Sequence, residues 1–242
     1  MQTYTHFLVA FAAYRPLSQK WKHTPNFPPP LRSAFWLGSA LPDLPLIIMT
    51  IVCGIIDLSQ NFANMYMGRL FRTWYFENKM VMSLHNLFHA PISCFCLLLI
   101  AYTAWRGCRL AGSAWWFWVI SNAFVHAISD IPVHHNDGPL LLFPFNFSIR
   151  YDSPVSYYDP DYYGIPFLIC EHILDLVIIV YECSQCCARR KERRRQQQAE
   201  EEEDGENDDD EGPSDDDKNT EDKGTEDKST EEEEEAPQVD NV

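Results

Sequence analysis

Several short motifs that mark large enzyme classes are missing from this 242-residue sequence. It contains no G-x-x-x-x-G-K-[ST] phosphate loop, no G-x-S-x-G nucleophile elbow and no H-E-x-x-H zinc helix. These absences exclude three classes of enzyme: P-loop nucleotide hydrolases, serine hydrolases with a nucleophile elbow, and zinc peptidases with an H-E-x-x-H helix. The eight cysteines show no disulfide framework, because most are scattered through apolar segments and only one C-x-x-C is present.

Aromatic side chains are also missing from residues 196–242, together with nearly all aliphatic ones. This segment holds 23 acidic residues and three lysines, a net charge of −20, whereas residues 1–195 hold 12 acidic and 16 basic residues, a net charge of +4. A chain of this composition cannot bury enough apolar surface to offset the entropy lost on ordering. We therefore predict a disordered acidic tail over residues 196–242, which is available to a cytosolic partner.

Long apolar stretches dominate the rest of the chain. Four of them reach or approach the length of about 20 helical residues that a bilayer core requires, and they cover residues 33–57, 86–105, 112–133 and 164–181. The sequence therefore predicts an all-α integral membrane domain over residues 1–188, with about four transmembrane helices. No small-residue cleavage site follows the apolar run at residues 7–14, so we expect a short N-terminal helix there rather than a signal peptide.

Basic residues beside the predicted spans indicate their orientation. A polybasic juxtamembrane segment, residues 189–195, follows the last span, and four basic residues precede the first: Arg15, Lys20, Lys22 and Arg32. With an even number of spans, both termini are expected in the cytosol. The loop at 134–163, with a glycosylation sequon at Asn146, is then outside, whereas the basic residues at 58–85 do not fit this orientation. The polybasic segment indicates contact with anionic membrane lipids rather than with nucleic acid.

Ionisable side chains inside apolar spans are costly, and they usually face a partner or a cavity. In this chain several recur four residues apart, which places both members of a pair on one helix face. The pairs are His85 and His89, His126 and Asp130, and Glu171 and Asp175. Prolines 42 and 45 flank Asp43, and Pro132 follows Asp130, so we expect the helices to break beside these carboxylates.

These side chains offer imidazole and carboxylate ligands without thiolate. Such a set suits Zn²⁺, with Mn²⁺ or Fe²⁺ as alternatives, and an open coordination position would let the ion activate water for hydrolysis. The alternative is a non-catalytic multi-pass membrane protein, in which the same groups form a hydrogen-bonded polar core and the acidic tail binds partners.

Four motifs occur in a distinctive order. They are T-H near the N terminus (Thr5, His6), G-x-x-L-P-D (residues 38–43), a histidine at the mouth of the next span (His85 or His89), and H-x-x-x-D followed by D-G-x-x-L-L-F-P (residues 126–130 and 137–144). Over about residues 3–180, this order resembles the inner-membrane metal-dependent hydrolase family. The resemblance implies a small helical membrane protein with a metal site built from such His and Asp residues.

The expected site combines these residues. The candidate ligands of one or two divalent ions are His6, Asp43, His85 or His89, His126 and Asp130, with Glu171 as a further candidate. His134, or a carboxylate such as Asp130 where the metal does not engage it, is expected to act as general base or acid beside metal-activated water. A site sunk in the bilayer suggests a lipid-derived or phosphoester substrate.

Overall fold

The computed structural model describes residues 1–21, 24 and 26–208, and all the regular structure in them is helical. The α-helices are α1 Thr3–Trp21, α2 Arg32–Ala40, α3 Leu44–Ser59, α4 Tyr66–Arg69, α5 Tyr75–Glu77, α6 Lys79–Asn86, α7 Pro91–Arg106, α8 Ser113–Asp130 and α9 Gly164–Asp208. A π-helical turn, Leu70–Trp74, joins α4 to α5, and 3₁₀ turns occupy Ile131–Val133 and Pro160–Tyr162. The all-α class is therefore confirmed for the described residues.

The chain divides into two units, Met1–Arg190 and Lys191–Val242. The first unit contains α1 to α8 and the apolar part of α9. In the second unit, residues 191–208 are helical although residues 196–208 were predicted to be disordered. Their Arg, Gln, Glu and Ala residues are strong helix formers, which accounts for the difference. The remainder of the predicted tail, 209–242, lies outside the described residues.

Helix α8 is the centre of the first unit and packs against α2 and α7, while α1 packs against α2 and contacts α8 through His6 and Trp21. The core between them combines large aromatic residues with small ones. Phe35, Phe117 and Trp118 are buried there beside alanines 34 and 123. Small residues allow the helix backbones to approach closely, as they do in membrane helix pairs.

Gly38 is the point of closest approach between α2 and α8. A Cβ atom at this position would overlap the carbonyl oxygen of Val119 and lie 2.8 Å from Cβ of Asn122. Only glycine therefore fits here without displacing α2. The contact brings the end of α2, including Ser39 and the turn at Asp43, against the second half of α8.

The span predicted at 33–57 is a bent helix pair, and the span predicted at 86–105 corresponds to α7, which forms a second bent pair with the preceding α6. Helix α2 ends at Ala40 and α3 begins at Leu44, with a bend of 55°, while α6 ends at Asn86 and α7 begins at Pro91, with a bend of 50°. Pro42, Pro45 and Pro91 account for the breaks, because proline lacks the amide hydrogen that a continuing helix needs. The predicted break beside Asp43 is confirmed.

The structure supports fewer spans than the four that the sequence predicts. Within the described chain, the segment Gly164–Glu200 of α9 is long and apolar enough to cross a membrane, and the count rises to three if each bent pair forms one span. Helix α8 does not meet the same criteria. Its serines, Asn122, His126 and Asp130 lower its hydropathy, and much of its apolar surface is buried in the core.

Helix α1 is longer than the predicted helix at residues 7–14, because it extends from Thr3 to Trp21 and includes Pro16. It runs parallel to α9. At one end the amide of Gln2 donates to Glu171 (2.7 Å), and at the other Arg15 pairs with Glu182 (2.9 Å). These polar contacts thus stabilise the additional turns of α1, which the sequence did not predict because the residues that form them have low hydropathy.

Five basic residues of the first unit lie at one end of the bundle, whereas Arg150 lies beside Tyr75 near the other end. Trp115 donates to Ser33 (3.0 Å), and the ring of Trp21 packs against Trp118 (5.1 Å between centroids), so the start of α2, the end of α1 and the start of α8 are neighbours. The basic residues at this end are Arg15, Lys20, Arg32, Arg106 and Arg109. The ionisable residues of the predicted site lie towards the other end of these helices.

A test of the α2–α8 contact compares two glycines in helices. We expect Gly38→Ala to destabilise the protein by about 1–3 kcal/mol, because α2 must move away from α8. Gly54→Ala is the matched control, since a Cβ there would meet nothing within 4 Å, and it should stabilise α3 by about 0.5–1 kcal/mol. Thermal unfolding in detergent measures both changes, and equal melting temperatures for the two variants would contradict the packing described.

Candidate metal site

Helix ends and chain breaks bring four ionisable residues together. Asp43 lies in the turn between α2 and α3, His89 in the turn between α6 and α7, and His126 and Asp130 on the last turns of α8. Each offers one nitrogen or oxygen atom, and these four atoms all lie within 4.8 Å of one another. The group can therefore hold a metal ion, with two imidazoles and two carboxylates as ligands.

Asp130 is the centre of this group, and its side chain is only 2% exposed. Its Oδ2 atom lies 3.0 Å from Nε2 of His89 and 3.1 Å from Nε2 of His126. Asp43 approaches from the other side, with its Oδ1 atom 3.5 Å from Nε2 of His126, and it accepts a hydrogen bond of 2.5 Å from the hydroxyl of Thr3. Two carboxylate oxygens thus converge on the Nε2 atom of His126.

A backbone contact determines the tautomer of His126. Its Nδ1 atom lies 2.7 Å from the carbonyl oxygen of Ser39, and a carbonyl only accepts, so Nδ1 carries the proton. Nε2 faces the carboxylates of Asp130 and Asp43 and is buried without a hydrogen-bond partner in the described chain. In the neutral ring this atom would present its lone pair to an ion. An imidazole whose second nitrogen donates to a carbonyl is the usual form of a metal-bound histidine.

The pair His85 and His89 does not contribute two ligands. Helix α6 ends at Asn86, so His89 lies in the following turn rather than one helical turn above His85. His85 is buried behind His89, with its Nε2 atom 2.8 Å from Nδ1 of His89. Either nitrogen can donate across this contact, so His85 can accept from His89 when the latter presents its Nε2 lone pair to an ion.

His6 lies beside the group of four but is not a member of it. Its Nε2 atom donates to Oδ1 of Asp130 (2.9 Å), and its ring stacks on that of His126 with 3.6 Å between centroids. The amino group of Met1 also lies 2.7 Å from Oδ1 of Asp130. His6 therefore orients Asp130 and covers one face of His126.

Glu171 and Asp175 are buried on α9, as their spacing on one helix face indicates, but they bind the N-terminal segment. Glu171 accepts from the amide of Gln2 (2.7 Å), and Asp175 accepts from the hydroxyl of Thr5 (3.1 Å). The structure thus places Glu171 in the contact between α1 and α9, outside the group that can hold a metal.

His134 and Asp137 form a second pair beside the group. The Nδ1 atom of His134 donates to Oδ1 of Asp137 (3.1 Å), and its Nε2 atom is buried without a partner in the described chain, 3.7 Å from Oδ2 of Asp130. Burial opposes the charge of Asp137, but the hydrogen bond from His134 lowers the pKa of its carboxyl. The ring of Tyr157 packs on His134, 4.7 Å between centroids, and holds the imidazole in this orientation.

The group borders a cavity of about 550 Å³, within the range of pockets that bind small molecules. Asp43, His89, Asp130, His134 and Asp137 line its polar end together with two tyrosines, 157 and 158. Burial and the charge of Asp137 raise the pKa of Tyr158 to about 12, so its phenol keeps its proton. The polar end therefore offers metal ligands, a bare imidazole nitrogen and hydroxyl donors.

Several contacts at this site were missed in the sequence. Ser39 acts through its backbone carbonyl, which no residue type reveals. Asp137 belongs to the D-G-x-x-L-L-F-P motif, and its position three residues after His134 was the available signal for the pair. Tyr157 lies in the loop at 134–163, which was predicted only to lie outside the membrane.

Comparison of the chain with protein-family models, curated proteins and solved structures gave no match. The resemblance to the inner-membrane metal-dependent hydrolase family therefore stays a prediction.

The metal site makes a direct prediction. Full-length protein purified in detergent should bind about one equivalent of a divalent ion, and His126→Ala should weaken binding by more than about 100-fold, because it removes a ligand rather than a supporting contact. His172→Ala is the matched control, since His172 is exposed on α9 and contacts Tyr4 outside the group. Elemental analysis after dialysis against zinc measures the outcome, and wild-type protein without metal would contradict the site.

Proposed function

We propose that this protein is a membrane-embedded metal-dependent hydrolase, in which Asp43, His89, His126 and Asp130 bind one divalent ion. The observation that carries the proposal is the position of the Nε2 atom of His126. This atom is buried, it has no partner within the described chain, and it lies among two carboxylates and a second imidazole. A ligand set of this kind, beside a cavity large enough for a small molecule, supports metal-assisted hydrolysis.

The chemistry of the ligands favours particular ions. Two imidazoles and two carboxylates suit Zn²⁺, and Mn²⁺ or Fe²⁺ accept the same donors. Two aspartates neutralise the charge of a divalent ion, and a bound ion would supply a Lewis acid and a water acidic enough to attack at neutral pH. The residues around the group then orient the substrate and move protons.

His134 is the residue best placed to accept a proton. Asp137 holds its Nδ1–H, so the Nε2 lone pair faces the cavity beside Asp130. A carboxylate behind an imidazole orients the ring and stabilises the imidazolium that forms when the ring takes up a proton. Asp130, predicted from the sequence as a ligand and as a catalytic residue, serves here as a ligand. The hydroxyls of Tyr157 and Tyr158 can donate to a substrate oxygen at the same end of the cavity.

The membrane arrangement that we propose has four crossings. Helices α2 with α3, and α6 with α7, form two bent crossings, and α8 and α9 form the others. The basic end of the bundle then faces the cytosol together with Glu182 of α9, which pairs with Arg15, whereas the loop at 134–163 and the cavity lie towards the other side. Met1 pairs with Asp130 and lines the cavity, so in this arrangement the N terminus is not on the cytosolic side that the sequence predicts. The polybasic segment would contact anionic lipids, and the acidic tail would bind a cytosolic partner.

A non-catalytic protein with a structural polar core is the competing function. Asp130 supports it in part, because His6 and His89 satisfy both of its oxygens without an ion. The convergence of four ligand atoms beside a cavity favours the metal site, because a core that only supports packing needs neither a shared ligand position nor an adjacent cavity.

Measurements of hydrolysis rate and metal content distinguish the proposed general base, His134, from the metal ligands. We expect His134→Ala to lower hydrolysis of a model ester or phosphoester by about 100- to 10,000-fold, the range for loss of a general base, with metal content unchanged. His135→Ala is the matched control, because His135 donates to the carbonyl of Ser153 and stacks on Tyr162 away from the cavity. Hydrolysis of p-nitrophenyl butyrate and p-nitrophenyl phosphate by zinc-loaded protein measures the effect. Equal rates for both variants would exclude His134 as the base.

The orientation can be tested independently of activity. A tag after residue 242 should be protected from protease in sealed, right-side-out vesicles, because the basic end of the bundle stays in the cytosol. Asn146, whose neighbour Phe145 is 81% exposed, should be glycosylated in a eukaryotic host, and Asn146→Gln should abolish the shift in gel mobility. Protease cleavage of the tag in intact vesicles would reverse the proposed orientation.

A further inference from the structure

The cavity beside the metal group has two chemically different ends. Its polar end contains the ligands and His134, as described above. Its other end is lined by apolar side chains, from Leu46, Ile47 and Ile51 of α3 and from Phe71 and Phe76 in the segment after α4. A molecule that fills the cavity must therefore combine a polar group with a hydrocarbon portion.

The apolar end is continuous with the outer surface of the bundle. Ile51 is 56% exposed and Phe71 is 45% exposed, although both line the cavity. The adjacent face of α3 is also apolar and exposed, at Ile48, Val52 and Ile55. In the proposed membrane arrangement this surface meets acyl chains, so the cavity opens sideways to lipid rather than to water.

The charges at the polar end of the cavity restrict the charge of the head group that it can bind. No arginine or lysine lines the cavity, whereas three carboxylates do, at Asp43, Asp130 and Asp137. A divalent ion would offset two of these charges, and the amino group of Met1 is paired with Asp130. Sites that transfer phosphoryl groups clamp the anionic oxygens with arginine, lysine or additional metal ions.

The nearest arginine is not free to supply that clamp. Arg150 donates to the carbonyl oxygen of Gly138, and its guanidinium packs over the ring of Tyr75, 4.9 Å from the centroid. It thus holds the loop that carries Asp137, and it is absent from the cavity lining. A dianionic head would meet Asp137 with no cationic side chain opposite it.

We propose that the substrate is an uncharged single-chain amphiphile with a carboxylic ester at its polar end. This inference rests on the proposed function and selects among the lipid and phosphoester substrates that the sequence left open. The chain lies against Ile51 and Phe71, and the ester lies at the metal ligands and His134. Water adds to the carbonyl carbon, the bond to the alcohol oxygen breaks, and that oxygen takes a proton. The products are an alcohol and a carboxylic acid, which ionises at neutral pH.

Matched lipids test the head group. Zinc-loaded, full-length protein in zwitterionic nanodiscs is given a monoacylglycerol or a lysophosphatidate with the same acyl chain, and release of fatty acid or of phosphate is measured. We expect cleavage of the monoacylglycerol ester to be at least about tenfold faster than phosphate release, because like charges disfavour the anionic head. Faster phosphate release, or no reaction with either lipid by protein that has bound zinc, would overturn this inference while leaving the metal site intact. Protein that binds no zinc would overturn the proposed function as well.

A pair of isoleucines on α3 tests the position of the chain. Ile51→Trp should raise KM for the monoacylglycerol by about tenfold, the effect of expelling two methylene groups from an apolar site. Ile48→Trp is the control, since Ile48 is 51% exposed on the same helix but does not line the cavity. Zinc content and monodispersity should be unchanged in both variants. Equal KM values for the two variants would overturn the proposed binding mode.

Discussion

Burial of the Asp130 carboxylate is the constraint on which the rest of the architecture depends. A buried carboxylate costs several kcal/mol unless it is paired and hydrogen-bonded, so other segments must bring donors to it. His6 comes from the start of α1, His89 from the break between α6 and α7, and His126 from the preceding turn of α8. A shift of any of these helices would remove one of the partners of this buried charge. The fold and the site are therefore stabilised by the same contacts.

Contacts behind these histidines extend the constraint to helix packing. The carbonyl of Ser39 can reach His126 only because Gly38 lets α2 approach α8 closely. His85 supports His89 from behind. Its Nε2 atom lies 2.8 Å from Nδ1 of His89, and either nitrogen can donate to the other. Gly38 thus determines which nitrogen of His126 is free to bind an ion, because the contact with Ser39 that it permits occupies Nδ1 and leaves Nε2. Supporting contacts of this kind typically change metal affinity by about 10- to 100-fold.

The features that local sequence rules govern could be predicted. Prolines beside Asp43 indicated the break there, and the four-residue spacing indicated that His126 and Asp130 share a helix face. The same spacing misled for His85 and His89, because the helix stops between them. It could not place Glu171 either, because its partner is the backbone of the N-terminal segment. Contacts between segments distant in sequence, and contacts through backbone atoms, leave no signature in residue type or periodicity.

The arrangement of two imidazole nitrogens favours a metal site over a structural polar core. In both His126 and His134, Nδ1 donates to an oxygen behind the ring, and Nε2 points towards Oδ2 of Asp130, at 3.1 Å and 3.7 Å. Within the described chain neither Nε2 atom has a hydrogen bond, and leaving a buried polar atom unpaired costs about 1–3 kcal/mol. In neutral rings both Nε2 atoms are lone pairs that face the same carboxylate, and a cation placed between them would remove the repulsion. Asp43 and His89 offer ligand atoms to the same position, so one ion would bind four side chains that come from three separate parts of the chain.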